Sequence, residues 1–242
     1  MPLHDWSRVN SGIFHDFHGA WIQTLKAGLN ARLSGDFYAL SEQRQDKRIP
    51  DLLTLRSTGF EATSEGGAVA LAPRPTTRVR SHGDAHAYAA RQRRIVVRHA
   101  SGDDIVAILE IASYGNKSSE SAEAKFVGKC VRLLSAGVHV SVIDVAPHPA
   151  RCPRGIHAAV WGDLSDFPYE PPEGKPFALA AYEADEAVEA YVEPVGLGDV
   201  LPDLAVFLES GGCVMAPLEE TYLAAFASVP RRWRRVIDPA AA

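Results

Sequence analysis

The stretch from Asp104 to Val145 constrains the fold more than any other. It reads "DIVAILEIAS", then a polar loop, then a helical segment over about 120–136, then "VHVSVIDV" directly after Gly137. The two apolar runs, rich in Ile and Val, read as buried strands. Ser118 or Ser119 can cap the helix between them, Glu120 and Glu123 suit its positive end, and Gly137 stops it. A strand, a helix and a strand in that order predict a crossover that returns, right-handed, onto the same sheet. The chain is therefore expected to be α/β.

The other elements are placed around this unit. Ile13, Phe17, Trp21, Leu25 and Leu29 recur every four residues, which predicts a helix over 11–33, with Gly35 as its stop. "FYALSEQRQ" (37–45) and "IPDLLTLRS" (49–57) read as a hairpin turned by Asp46-Lys47-Arg48. Residues 58–92 are irregular and rich in Gly, Pro and Arg, with one short strand expected at 68–72. "RIVVRH" (94–99) pairs with 104–113 across Ser101-Gly102-Asp103. After Pro147, "HAAVWGD", "FALAAYEA" and "EAYVEPV" read as strands and Leu218–Ser228 as a last helix. The expectation is an α/β core over 1–146 and a strand-rich C-terminal extension over 147–242, packed on the same domain.

Composition excludes several classes. Cys130, Cys152 and Cys213 are odd in number and form no CxxC, against a disulfide framework and a cysteine zinc site, and consistent with the cytoplasm. No run approaches the roughly 20 apolar residues of a membrane span, and the first residues lack the pattern of a secretory signal. A net charge of −5 disfavours indiscriminate nucleic-acid binding. The charge is uneven, however. From Arg74 to His99 there are seven arginines and one acid, Asp84, and RRWRR follows at 231–235. Each is either a solvated basic face or a contact surface for phosphates.

Three acids fall on strands expected to be buried: Glu42, Asp51 and Glu110. Carboxylates are rarely buried without a partner or a metal. Carboxylates on adjacent strands suit magnesium, which takes oxygen ligands and needs one or two protein carboxylates beside water and substrate phosphate. "PD" at 50–51 and an acid on a following strand resemble the PD-(D/E)XK nuclease motif, whose lysine lies two residues after the second acid, on the same face. Here that position is Ala112. A replacement is available on the next helix. Advancing about 100° per residue, Lys129 lies about 40° from Leu133, at the border of the apolar arc, whereas Lys125 and Arg132 point away from it. A border lysine can bury its stem and run its ammonium along the sheet.

The order "PDLLTL", "ILEIASYGNK", "KCVRLLSAGVHVSVIDV" resembles a mainly bacterial family, domain of unknown function 4058. Glu110, Ser113, Asn116 and Lys117 match its strand-and-loop motif. Leu133-Leu134, Gly137-Val138-His139 and Ile143-Asp144 match the helix end and strand that follow, and "IFHDFHGAW" places His18 at a usual family position. The resemblance covers 5–145 closely and 146–242 loosely, and departs at Tyr114-Gly115. The same order is similar to Uma-two-like restriction endonucleases, in which the lysine sits on the helix, eight residues before the Gly of the turn. Counting back eight from Gly137 gives Lys129. The resemblance implies a restriction-endonuclease-like fold, a central mixed sheet flanked by helices, and phosphodiester hydrolysis by analogy of fold alone.

The expected site has Asp51 and Glu110 as magnesium ligands, with Lys129 and Glu42 in the catalytic set. Tyr38, His18, Asn116 and Lys117 are expected to line the cleft, and nucleic acid is expected along 74–99. Asp144 reads as a strand terminator, and His15 with His18 as structural histidines. His82 and His86 lack a third ligand for zinc, and Ser113 lacks a base for a hydrolase triad. Two functions compete: a magnesium-dependent nuclease or related phosphodiesterase, and a degenerate member of the same fold acting as a binding or assembly module. The sequence leaves the oligomeric state open, a homodimer included.

Overall fold

In the computed structural model, residues 3–43, 79–83 and 93–238 are described. Helix α1 (Ser11–Asn30) begins where the Asn10 side chain accepts the amides of Gly12 and Ile13. Its buried face carries Phe14, Phe17, Trp21, Ile22, Leu25 and Leu29, the spacing that marked it in the sequence. Strand β1 (Phe37–Gln43) follows, then β2 (Val79–Gly83), β3 (Arg93–His99) and β4 (Ile105–Ile111). Helix α2 (Glu120–Ser135) is capped by Ser119, whose hydroxyl accepts the Ala122 amide. It ends at Gly137, where φ is +74°. The Gly137 and Val138 amides there reach back to the carbonyls of Leu134 and Leu133. The chain then enters β5 (His139–Asp144), which pairs parallel with β4, Glu110 opposite Val142. The crossover expected from the 104–145 pattern is present.

The sheet is mixed and seven-stranded, in the order β1-β3-β4-β5-β6-β7-β2, and β4–β5 is its parallel pair. Strands β6 (Phe177–Ala184) and β7 (Val188–Val195) belong to the C-terminal half, so that half extends the same sheet. At β1 the Asn30 side chain accepts the Ala39 amide at 2.8 Å and donates to the Ala39 carbonyl at 2.9 Å. Among the described residues β1 is an edge strand, and this mimics a neighbouring strand there.

Each face of the sheet is covered by a different set of elements. One face holds α1, the hairpin of β8 (Leu204–Glu209) and β9 (Gly212–Ala216), and α4 (Leu218–Ser228), around Trp6, Phe17, Trp21, Phe207 and Tyr222. A Cβ at Gly28 would sit 2.9 Å from Pro217 and Thr221, so the glycine sets the close approach of α1 to α4. The short α5 (Arg231–Ile237) ends the described chain, with Ile237 buried on this side. The other face holds α2 and α3 (Gly155–Leu164) around Phe126, Val127, Cys130, Ile156, Trp161 and Tyr182. Among the described residues, no helix is long and apolar enough to cross a membrane.

Three expectations differ from the structure. The stretch 58–92 was expected to be irregular around 79–83, but β2 (Val79–Gly83) lies there, paired with β7. "HAAVWGD" was expected as a strand, but it forms most of α3. Ile156, Val160 and Leu164 recur at helical spacing and are buried with Ala158 and Trp161, and so short an apolar run carries no period that separates helix from strand. The β8–β9 hairpin was not anticipated, although Ser210-Gly211 between two apolar runs is a hairpin signal, with Gly211 at φ +73°. The expected strands at 49–57 and 68–72 lie outside the described residues.

Candidate functional site

Strand periodicity places Glu110. Ile108 and Ala112 both enter the core beneath α2 and α3, so the residue midway between them faces the same way. The Glu110 side chain is 0% exposed, and that of Lys129, arriving from α2, is 4% exposed. Lys129 Nζ lies 2.7 Å from Glu110 Oε1 and 4.5 Å from the centre of the Phe126 ring. The ammonium stands at ion-pair distance without the alignment of a directed hydrogen bond, and Oε2 has no hydrogen-bond partner among the described residues. Ala112, buried on the same face two residues on, is small, and the cation above Glu110 comes from the helix.

The strands beside Glu110 define its surroundings. Both edges of β4 are paired, with β3 and with β5. Extending the Ile95–Leu109 register by one residue brings the buried Arg94 opposite Glu110. Glu42 in turn pairs with Arg94 across β1 and β3. One row across the helix-covered face therefore runs Glu42, Arg94, Glu110, with charges alternating and Lys129 above its end.

A second buried pair lies on the neighbouring strand. Asp144 ends β5 on the same face as Glu110. Its Oδ1 accepts from Lys117 Nζ at 2.6 Å, and its Oδ2 accepts from the Ile156 amide at 2.8 Å and stands 3.1 Å from His148 Nε2. Lys117 Nζ also donates to the Ala146 carbonyl at 2.6 Å, and both Lys117 and Asp144 side chains are 1% exposed. Burial alone would raise the Asp144 pKa. The Lys117 ammonium, the His148 imidazole and the Ile156 amide outweigh it and hold the carboxyl well below the usual carboxylate range. Gly155, with φ +76°, makes room for this cluster: a Cβ there would meet His148 Cε1 at 2.5 Å and Asp144 Oδ2 at 3.0 Å.

Further buried groups on this side are neutral. Burial pushes His157 down to about 3, and its Nδ1 lies 2.6 Å from the Tyr182 hydroxyl. Burial pushes the Cys130 thiol up to about 12 and the Cys152 thiol up to about 11, so neither is a ready nucleophile.

The sequence-predicted residues are thus partly assembled. Glu110 and Lys129 meet. Asp51 lies outside the described residues. The Glu42 carboxylate is turned to Arg98, at 2.8 Å, rather than to Glu110. The Tyr38 hydroxyl donates to Asp103. His18 lies on α1, across the sheet from Glu110, with Nε2 2.8 Å from the Ile111 carbonyl. Asn116 closes the loop before α2, its Oδ1 accepting from the Ser113 amide and hydroxyl. Of the four expected lining residues, Lys117 alone reaches a strand carboxylate. Asp144, read as a strand terminator, does end β5, and it is also bonded to Lys117, His148 and the Ile156 amide. The signal for it was present: an acid inside "VIDV" repeats the oddity of the acid inside "ILEI". Among the described residues, no three His, Cys, Asp or Glu side chains converge as a metal site.

The chain matches no protein-family model, no curated protein and no solved structure. The functional reading therefore rests on the geometry of the carboxylates and lysines.

Proposed function

We propose that the chain is a magnesium-dependent phosphodiester hydrolase with a restriction-endonuclease-like core. Its site is Glu110 and Lys129, with Asp51 as the second metal-binding carboxylate. The observation that carries this reading is the Lys129–Glu110 contact at 2.7 Å, beside a Glu110 Oε2 that no hydrogen bond satisfies among the described residues. A buried carboxylate oxygen without a donor is costly, and a hard cation is a natural occupant. Glu110 offers one oxygen and Asp51 a second, which suffices for magnesium beside water and phosphate. Such an ion supplies an activated water and charge neutralisation.

The chain's own residues do the rest. Lys129 sets a positive charge beside Glu110 and beside the phosphate that gains negative charge. Lys117 and Asp144 anchor the loop after β4 to the end of β5 and fix the start of α2. The basic 74–99 segment would carry the nucleic-acid backbone. The three cysteines are free, which suits a reducing cytoplasm.

A cleavage assay tests the proposal. Labelled DNA and RNA are incubated with wild type, Asp51→Asn, Glu110→Gln and Lys129→Met, in magnesium, manganese and EDTA. The expected result is metal-dependent cleavage by the wild type and a loss of about 100-fold or more in each variant. Equal cleavage by all four proteins refutes it.

A second reading, the non-catalytic binding or assembly module, is favoured by a different observation. Each described carboxylate on this face already has its own cation: Glu110 has Lys129, Asp144 has Lys117, and Glu42 has Arg98. That reading predicts no cleavage and no rise in melting temperature on adding metal.

A further inference from the structure

Helix α5 carries Arg231, Arg232, Arg234 and Arg235 within seven residues. Arg231, Arg232 and Arg235 are exposed and Arg234 is half-buried. At spacings of three and four, Arg231 faces Arg234 and Arg235, and Arg232 faces Arg235, so the helix carries like charges where opposite ones would stabilise it.

Acids that could relieve this repulsion are engaged elsewhere. Asp238 lies 3.7 Å from His4, Glu219 accepts the Leu201 amide at 3.0 Å, and Glu220 lies 4.0 Å from Arg32. Other exposed arginines of the chain are paired: Arg32 with Asp203 at 2.6 Å, Arg154 with Glu170 at 2.8 Å, and Arg8 with Asp5 at 3.2 Å. Among the described residues, none of the four α5 arginines forms an ion pair. Arg232 rests 4.9 Å over the Trp233 ring, and Arg234 Nε has no hydrogen-bond partner among the described residues. In a chain with 30 acids and 25 lysines and arginines, a run of unpaired arginines is a local excess that an external anion would neutralise.

We infer that α5 is a sequence-neutral docking surface for the phosphodiester backbone of nucleic acid. The guanidinium fork fits phosphate oxygens in pairs. A membrane is a poorer partner, because an interfacial helix needs an apolar face to insert, whereas Trp233 and Ile237 are turned into the core. The surface belongs to the sheet face opposite Lys129 and Glu110, so it stands independently of the hydrolase reading.

The test is fluorescence anisotropy with a labelled duplex DNA and a labelled single-stranded RNA, in EDTA so that no cleavage intervenes, over a series of salt concentrations. The variant is Arg231→Gln/Arg232→Gln/Arg235→Gln, which spares the half-buried Arg234, with circular dichroism confirming that it folds. Arg154→Gln, at the start of α3, serves as a control on the other face. The wild type and Arg154→Gln should bind alike, and the triple variant about tenfold or more weaker. Its plot of log affinity against log salt should flatten by about 0.9 per arginine lost on duplex DNA. Equal affinity and slope for the triple variant, or no wild-type binding at low salt, overturns the inference. So does wild-type binding to phosphatidylserine vesicles in preference to either nucleic acid.

Discussion

Replacing Lys129 by Met removes a charge while keeping most of the stem volume beneath α2. It leaves the Glu110 carboxylate, 0% exposed, with neither of its oxygens opposite a cation from α2. Breaking a buried pair from one side costs about 3–5 kcal/mol. For a chain of this length that is about 10 °C in melting temperature. Glu110→Gln breaks the pair from the other side and strands the ammonium. The double variant Lys129→Met/Glu110→Gln removes both charges at once and should recover about 2–4 kcal/mol relative to the sum of the singles. The assay is urea unfolding followed by tryptophan fluorescence, since Trp6, Trp21 and Trp161 are buried in the two cores and report on both faces. A Lys129→Met cost below about 1 kcal/mol, with no coupling in the double-mutant cycle, would refute the claim that these two side chains form a buried pair.

Other consequences concern acid and backbone. Asp144 titrates in the folded protein below its ordinary 3.8. Its contribution is therefore complete above that value and lost as pH falls through the folded pKa, and Asp144→Asn should flatten the acid limb of a stability–pH curve. His157 is pushed from 6.5 to about 3 and His139 to about 4. Below pH 6.5 the unfolded chain takes protons that the folded chain refuses, so stability should fall with acidification from that point. His157→Gln should remove part of the slope, and an unchanged slope would contradict the burial of that imidazole. Gly155→Ala places a Cβ 2.5 Å from His148 at a positive φ. It should cost about 1–3 kcal/mol by chemical denaturation, and a neutral result would contradict the packing around Asp144.

The parts of this fold that were legible in the sequence are those where one residue's chemistry had few solutions. The crossover at 104–145 was legible because both strands are unbroken apolar runs and the helix has a serine cap and a glycine stop. Lys129 could be set near the Glu110 strand because a helix wheel leaves it alone at the border of the apolar arc. What escaped was long-range. That Arg94 stands between Glu42 and Glu110 follows from strand order, which local pattern does not specify. Asp144 looked like a strand end because its partners, Lys117 and the amide of Ile156, come from 27 residues before it and 12 after it. His18 shared a helix with core aromatics, and nothing in its neighbourhood told which face of the sheet that helix would cover. Helix α3 was misread because its apolar residues are buried nearly all round, which erases the periodicity that separates helix from strand.

The most direct test of the central claim is an anomalous diffraction measurement on crystals soaked in manganese, which takes the same oxygen ligands as magnesium. A manganese peak in contact with Glu110 Oε2 and Asp51, absent from Glu110→Gln crystals, is the result the hydrolase reading predicts. Well-ordered density for both carboxylates with no metal beside Glu110 would contradict it and leave Lys129–Glu110 as a charge pair of the core.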